Sequence, residues 1–132
     1  MSSPGASRWT TIDRVLAVEP GSSARAVRNV PNTLAIFDTH FPHRPVLPGV
    51  LILGSLGALA ATLLEAETGE PWRLAGADQV GFRHFVQPGD QMELAVELKE
   101  RSDDGAVLSG DVRVDGKVVT RARRLRMAPS GG

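Results

Sequence analysis

The residue best suited to proton chemistry is His40, which stands in the stretch His-Phe-Pro-His-Arg-Pro at residues 40–45. An imidazole titrates near neutral pH, so it can take a proton from carbon or return one to oxygen. Pro48-Gly49 then opens an apolar run that contains no acid or base before Glu65. The sequence therefore predicts a general base without an obvious neighbouring acid.

Two polar residues could assist His40, and each has an ordinary alternative. Asp38, two residues earlier, could orient or charge the imidazole; otherwise it is a plain loop aspartate. Ser55 carries a weakly acidic hydroxyl; otherwise it is a buried serine bonded to a carbonyl of the preceding helical turn. Glu65 and Glu67 are predicted to lie at a solvated helix end.

The other histidines do not predict a metal site. His43, between two prolines, is predicted to be a surface residue of the loop, and His84 to be structural. His40 and His43 have no third ligand at metal-site spacing. The absence of cysteine excludes disulfides, thiolate metal ligands and a cysteine nucleophile. We expect neither metal nor cofactor.

Composition predicts one small domain that spans residues 1–132. The chain has 42% apolar and 23% charged residues, as one globular domain does. Its formal charge is zero, so no net positive charge attracts it to nucleic acid or to an anionic membrane. The first residues lack the apolar segment of a secretory signal, which favours a cytoplasmic location. Residues 1–8 and 128–132 are expected to be flexible.

One long helix and several strands are predicted. Residues 48–67 have no internal proline after their start and end before Gly69, which indicates a helix. Pro48-Gly49 leaves this run too short to span a bilayer, so we interpret it as a buried core helix. Alternating patterns and turn signals, including Asp115-Gly116, predict strands over residues 11–19, 23–30, 74–86, 92–98, 106–114 and 117–127.

These elements predict an α+β fold in which an antiparallel sheet of five or six strands wraps round one long helix. A sheet of this size has one face to bury and a single helix to bury it. Its edge strands would remain open, and pairing with a second copy or a related chain would protect them. Oligomerisation is therefore expected.

The sequence resembles the FabZ-type 3-hydroxyacyl-[acyl-carrier-protein] dehydratases, which have the hot-dog fold. The resemblance runs along nearly the whole chain. It is carried by Ile12-Asp13-Arg14-Val15, Glu19-Pro20-Gly21, Asn29-Val30, Phe37, His40-Phe41-Pro42, Pro45, Pro48-Gly49-Val50-Leu51, Phe82-Arg83, Pro88-Gly89-Asp90-Gln91 and Asp115-Gly116-Lys117-Val118-Val119.

The resemblance implies a dimer with active sites between the subunits and an acyl substrate on the phosphopantetheine arm of acyl carrier protein. The catalytic histidine of one subunit corresponds to His40, and the helix carboxylate of the other corresponds to Gly54. Backbone N–H groups of Gly49 and Val50 could hold the thioester carbonyl. Ala58 stands where the family often has glutamine.

Gly54 supplies no proton for the departing hydroxyl. Loss of a general acid typically costs ~10²–10⁴ in rate, so a homodimer should be a poor dehydratase or none. A heterodimer with a related subunit that keeps the carboxylate would complete one of two sites. The alternatives are a non-catalytic acyl-carrier binding or scaffold subunit, and a hot-dog thioesterase or isomerase.

Arginines offer a possible docking surface for an acidic carrier protein. Arg121, Arg123, Arg124 and Arg126 cluster near the end of the chain, and Arg44, Arg83 or Arg101 could join them. Arginine suits phosphate recognition, and the carrier's prosthetic arm carries a phosphate. The alternative is a solvated strand at the edge of the sheet.

Overall fold

The computed structural model describes residues 12–30 and 47–130. Within these ranges it contains one helix and six strands, close to the predicted elements. They are β1 (Arg14–Glu19), β2 (Ser23–Asn29), α1 (Gly49–Thr68), β3 (Trp72–Phe82), β4 (Gln91–Arg101), β5 (Ala106–Val114) and β6 (Lys117–Pro129).

The strands form one antiparallel sheet in the order β1-β2-β4-β5-β6-β3. Helix α1 contacts all six strands, so the sheet curves round it as predicted. β1 and β3 are the two edges of this sheet. The predicted α+β architecture is therefore confirmed, at the upper end of the expected strand number.

The core lies between α1 and the inner face of the sheet. Along α1 the fully buried leucines Leu56, Leu59 and Leu63 recur at the three- and four-residue spacing of one helical face. On β4, Met92 and Leu94 are buried at alternate positions, as a strand with one buried face requires. This apolar packing fixes α1 beneath the sheet.

The hairpin predicted at Asp115-Gly116 joins β5 to β6. Both residues have positive φ, 52° and 81° respectively, as a two-residue type I′ turn requires. Aspartate and glycine adopt this conformation at low cost.

The structure corrects two predicted strand ends. β3 ends at Phe82 rather than Val86, because the carbonyl of Val86 accepts a bond from the N–H of Leu47 at 2.6 Å instead of continuing a ladder. β6 extends through Ala128 and Pro129, which pair with the start of β3. The tail predicted to be flexible from residue 128 is thus strand for its first two residues.

By length and composition alone, α1 is long and apolar enough to cross a membrane. In this fold one face of the helix is packed against the sheet. At the end of the helix Glu65 is exposed as predicted, whereas Glu67 is half-buried and forms an ion pair with Arg101, which corrects the prediction for that residue.

Candidate active site

The start of α1 presents backbone N–H groups that could hold a negatively charged oxygen. Pro48, the N-cap, makes no side-chain cap, and the first turn contains no acidic residue. The amides of Leu51 and Ile52 both donate to the Pro48 carbonyl, at 3.0 and 3.3 Å. Within the described ranges no hydrogen bond uses the amides of Gly49 and Val50. These are the two donors predicted from the sequence, and the helix dipole adds to them.

The ring of Phe82 lies against the start of α1. A Cβ at Gly49 would stand 2.7 Å from Phe82 Cζ and 2.8 Å from Cε1, so glycine is needed for this contact. Phe82 is 52% exposed and Val50 72% exposed. The helix start is therefore bordered by apolar surface that the described chain leaves open.

Gly49→Ala is expected to destabilise the fold by about 1 kcal/mol, because the new methyl group overlaps the half-exposed Phe82 ring, which must leave its present rotamer. Alanine forms helices more readily than glycine, so the same substitution should stabilise the fold when the Phe82 ring is absent. Denaturant unfolding of Gly49→Ala alone and with Phe82→Ala measures it. An equal loss of unfolding free energy with and without the Phe82 ring would contradict the steric explanation.

The side of α1 where the sequence analysis places the missing acid carries small side chains. Gly54 and Ala58, one turn apart, are both half-buried. The first acidic residue of the helix is Glu65, in its last two turns. The helix therefore carries no acidic side chain near Gly54 or Ala58 that could donate a proton.

Ser55 is fully buried, and its hydroxyl accepts a hydrogen bond from Nη1 of Arg28 at 2.8 Å. The predicted burial is confirmed, but the bonding partner is an arginine of β2 rather than a carbonyl of the preceding turn. Ser55 thus faces the sheet, and its proposed auxiliary role in catalysis stays a prediction.

Arg28 is a buried charge that the sequence analysis did not single out. It is 2% exposed, and burial lowers the pKa of its guanidinium while the nearby Asp13 carboxylate partly offsets this effect. The signal was available in the alternation of β2: Ala24 and Ala26 are buried, and the same period places Arg28 on their face. Two alanines leave room for a long side chain.

His40, Asp38, Arg44 and His43 lie outside the described residues. The residues that flank their segment, Val30 and Leu47, both bond to the backbone of residues 86–90. The N–H of Val30 donates to the Asp90 carbonyl at 2.9 Å, that of Gly89 to the Val30 carbonyl at 2.8 Å, and that of Leu47 to the Val86 carbonyl at 2.6 Å. The Pro-Gly-Asp motif thus holds the Val30 end of the segment that carries His40, and Val86, just before the motif, holds the Leu47 end.

This turn is stabilised by its own side chains. The carboxylate of Asp90 accepts a bond from the N–H of Gln87 at 2.8 Å. Gln91 donates to the side chain of Asn29 at 3.0 Å, which joins the turn to the end of β2. Gly89 has a φ of 91°, a conformation that glycine adopts readily.

Apart from Arg44, which lies outside the described residues, the arginines proposed for carrier docking are exposed. Arg121, Arg123 and Arg124 project from β6, and Arg83 follows β3. β6 lies between β5 and β3, so the alternative of a strand at the sheet edge is wrong. Arg124 and Arg126 share Asp78 at 3.8 and 2.9 Å, whereas the ion pairs among described residues do not involve Arg123.

His84 is exposed just after β3. Over residues 12–30 and 47–130, no group of three or more histidine, cysteine or acidic side chains is placed to hold a metal ion. The expected absence of a metal stays a prediction.

Solved structures with this architecture are hot-dog proteins. The Dehydratase Heterocomplex ApeI:P from Xenorhabdus doucetiae matches with a TM-score of 0.66 at 24% identity, covering 85% of this chain and 95% of that chain. The E. coli PaaI protein from the phenylacetic acid degradation operon matches with a TM-score of 0.71 at 13% identity, covering 89% and 79% respectively. These matches define the class by fold alone.

Sequence comparison narrows the class to a family. Residues 4–123 match the family model described as a FabA-like domain. The 3-hydroxyacyl-[acyl-carrier-protein] dehydratase FabZ of Shewanella woodyi is 43% identical over 117 residues, covering 84% of this chain and 76% of that protein. FabZ of Dechloromonas aromatica is 36% identical over 120 residues, covering 86% and 83%. The chain belongs to the FabA-like family, among the FabZ-type dehydratases.

Proposed function

We propose that this chain is a lyase subunit that dehydrates 3-hydroxyacyl thioesters on acyl carrier protein, in fatty-acid or polyketide synthesis, and that it needs a second subunit to supply the acid. One observation carries the proposal: a FabZ-type helix whose first amides, those of Gly49 and Val50, have no hydrogen-bond partner among residues 12–30 and 47–130, and which has glycine at position 54. The site therefore keeps the amides that would stabilise the thioester carbonyl, but Gly54 cannot donate a proton.

In the proposed reaction His40 takes the proton from Cα of the thioester. The electrons of that C–H bond form the Cα–Cβ double bond, and the Cβ–O bond breaks. The hydroxyl leaves as water after it receives a proton from a carboxylic acid, so the products are a 2-enoyl thioester and water. Negative charge that develops on the thioester carbonyl is stabilised by the Gly49 and Val50 amides and the dipole of α1.

A dimer with a related subunit supplies the missing acid in one of two sites. In the complete site His40 of this chain faces the helix carboxylate of the second subunit. The other site combines the second subunit's histidine with Gly54 and lacks an acid. ApeI:P, which has this fold, is described as a dehydratase heterocomplex, so mixed dehydratase assemblies exist on the same scaffold.

Co-purification of this chain with a FabZ-type subunit that retains the carboxylate tests the proposal, with a different affinity tag on each. We expect a mixed dimer by native mass spectrometry that dehydrates a 3-hydroxyacyl carrier thioester. Failure to form mixed dimers with such subunits, together with an active homodimer, would overturn it.

Carrier docking is proposed at the exposed arginines of β6. Arg121→Glu with Arg123→Glu is expected to raise KM for a carrier-bound substrate by about tenfold, because two favourable charge contacts become repulsive. KM for the same acyl group on pantetheine should stay unchanged. Arg14→Glu, an exposed arginine on the opposite edge of the sheet, is the matched control. Equal effects on both substrates would place docking elsewhere.

The proposal includes a cytoplasmic location and no cofactor beyond the carrier's phosphopantetheine arm. It assigns no nucleic-acid or membrane partner, since the formal charge is zero and α1 packs against the sheet.

A further inference from the structure

A hydrogen bond joins the sheet to α1 beside the candidate site. Arg28, on the inner face of β2, donates to Ser55 in the second turn of α1 over 2.8 Å. Both residues are buried, at 2% and 0% exposure. The bond therefore reaches the helix one residue from Gly54.

The rest of the contact between α1 and the sheet is dominated by apolar side chains. Apolar packing is not directional, and cores of similar volume tolerate small shifts of one element against another. A hydrogen bond from a charged donor has a preferred length and angle. Guanidinium keeps its charge in proteins, so loss of its acceptor would leave a buried cation less well paired. This bond resists rotation and sliding of the helix.

We infer that Arg28, acting through Ser55, is a positioning residue that fixes the first two turns of α1 for catalysis. The inference rests on the proposed function, because it takes the helix start and residue 54 as parts of the site. Ser55 lies about 9 Å along the helix from Gly49 at 1.5 Å per residue. A misplacement of about 1 Å at a catalytic group can cost ~10²-fold in rate.

Ser55→Ala removes the acceptor and tests the inference without any need for turnover. We expect the amide NMR signals of Gly49, Val50 and Gly54 to shift, and the affinity for an enoyl-pantetheine thioester to fall about tenfold, the size expected for loss of one hydrogen bond to a charged group. The matched control is Thr62→Val, which removes a hydroxyl bonded to the Ala58 carbonyl at 3.0 Å within the same helix. Its effects should stay near residue 62.

Arg28→Lys and Arg28→Met separate positioning from general stability. Lysine keeps a charged donor and should recover part of the affinity that methionine loses. If Arg28→Met does not fold, the comparison of Arg28→Lys with Ser55→Ala still decides, since both keep the charge.

The inference is overturned if Ser55→Ala leaves the three amide signals and the affinity as in the wild type while only the melting temperature falls. If no mixed dimer dehydrates the substrate, the proposed function is refuted. The binding and NMR results would still show whether the bond between Arg28 and Ser55 positions the helix.

Discussion

Replacing Gly54 with glutamate is expected to convert the purified chain from a poor dehydratase into an active one, with a gain of ~10²–10⁴ in kcat/KM. The substitution places a carboxylic acid at the helix position where the proposed mechanism requires one, so that a homodimer would have both of its sites complete. Glutamate is also a better helix former than glycine. Dehydration of a 3-hydroxyacyl carrier thioester, followed by absorbance of the enoyl product, measures the gain.

Gly54→Gln is the matched control, because the amide has the size of the carboxylic acid but no proton to deliver. It should fold and assemble like Gly54→Glu and remain as inactive as the wild type. Equal activity of the two variants would mean that the side chain acts by filling space, and the account of a missing acid would fail.

In a mixed dimer, His40→Ala in this chain is expected to reduce dehydration by ~10²–10⁴. The only complete site then loses its base. The same change in the second subunit should leave the rate close to that of the unaltered dimer, because its histidine belongs to the site that contains Gly54. Tags on both subunits permit purification of mixed dimers free of either homodimer.

The difference between the effects of the two histidine substitutions distinguishes a catalytic subunit from a scaffold subunit. A scaffold subunit would tolerate His40→Ala, and only the second subunit's histidine would then matter. Comparable losses from the two changes would also contradict the half-site account. His40→Gln, which approximates the size of the ring without its basicity, controls for collapse of the surrounding segment.

Much of the fold could be predicted because its patterns are local. Alternation along β4 and the Asp115-Gly116 turn depend on neighbouring residues, and both are confirmed. The end of β3 could not be predicted from such patterns. Val86 is apolar and buried like a strand residue, but its carbonyl bonds to Leu47, which lies 39 positions earlier in the chain.

The site was only partly predictable, because some of its contacts join residues that are far apart in the sequence. The helix start and Gly54 follow from a contiguous motif, and the structure places them on α1 as expected. The bond between Arg28 and Ser55 joins residues separated by 27 positions. An arginine in an alternating strand is usually taken as exposed, and only the small size of Ala24 and Ala26 indicated otherwise.

The motif Pro88-Gly89-Asp90-Gln91 shows how a sequence signature gains meaning from contacts. By itself it predicts a turn. In the structure its backbone holds Val30, and its last side chain holds Asn29. The motif therefore fixes where the segment that carries His40 leaves the described fold, while the Val86 carbonyl, just before the motif, holds Leu47 where the segment rejoins it.

The most direct test of the central claim is dehydration of a 3-hydroxyacyl carrier thioester by the purified wild-type chain alone, with its native mass taken on the same sample. The account predicts a dimer with little or no turnover. A homodimer that turns over substrate as fast as Gly54→Glu would contradict it, and would show that another residue of this chain, with Asp38 the first candidate, delivers the proton.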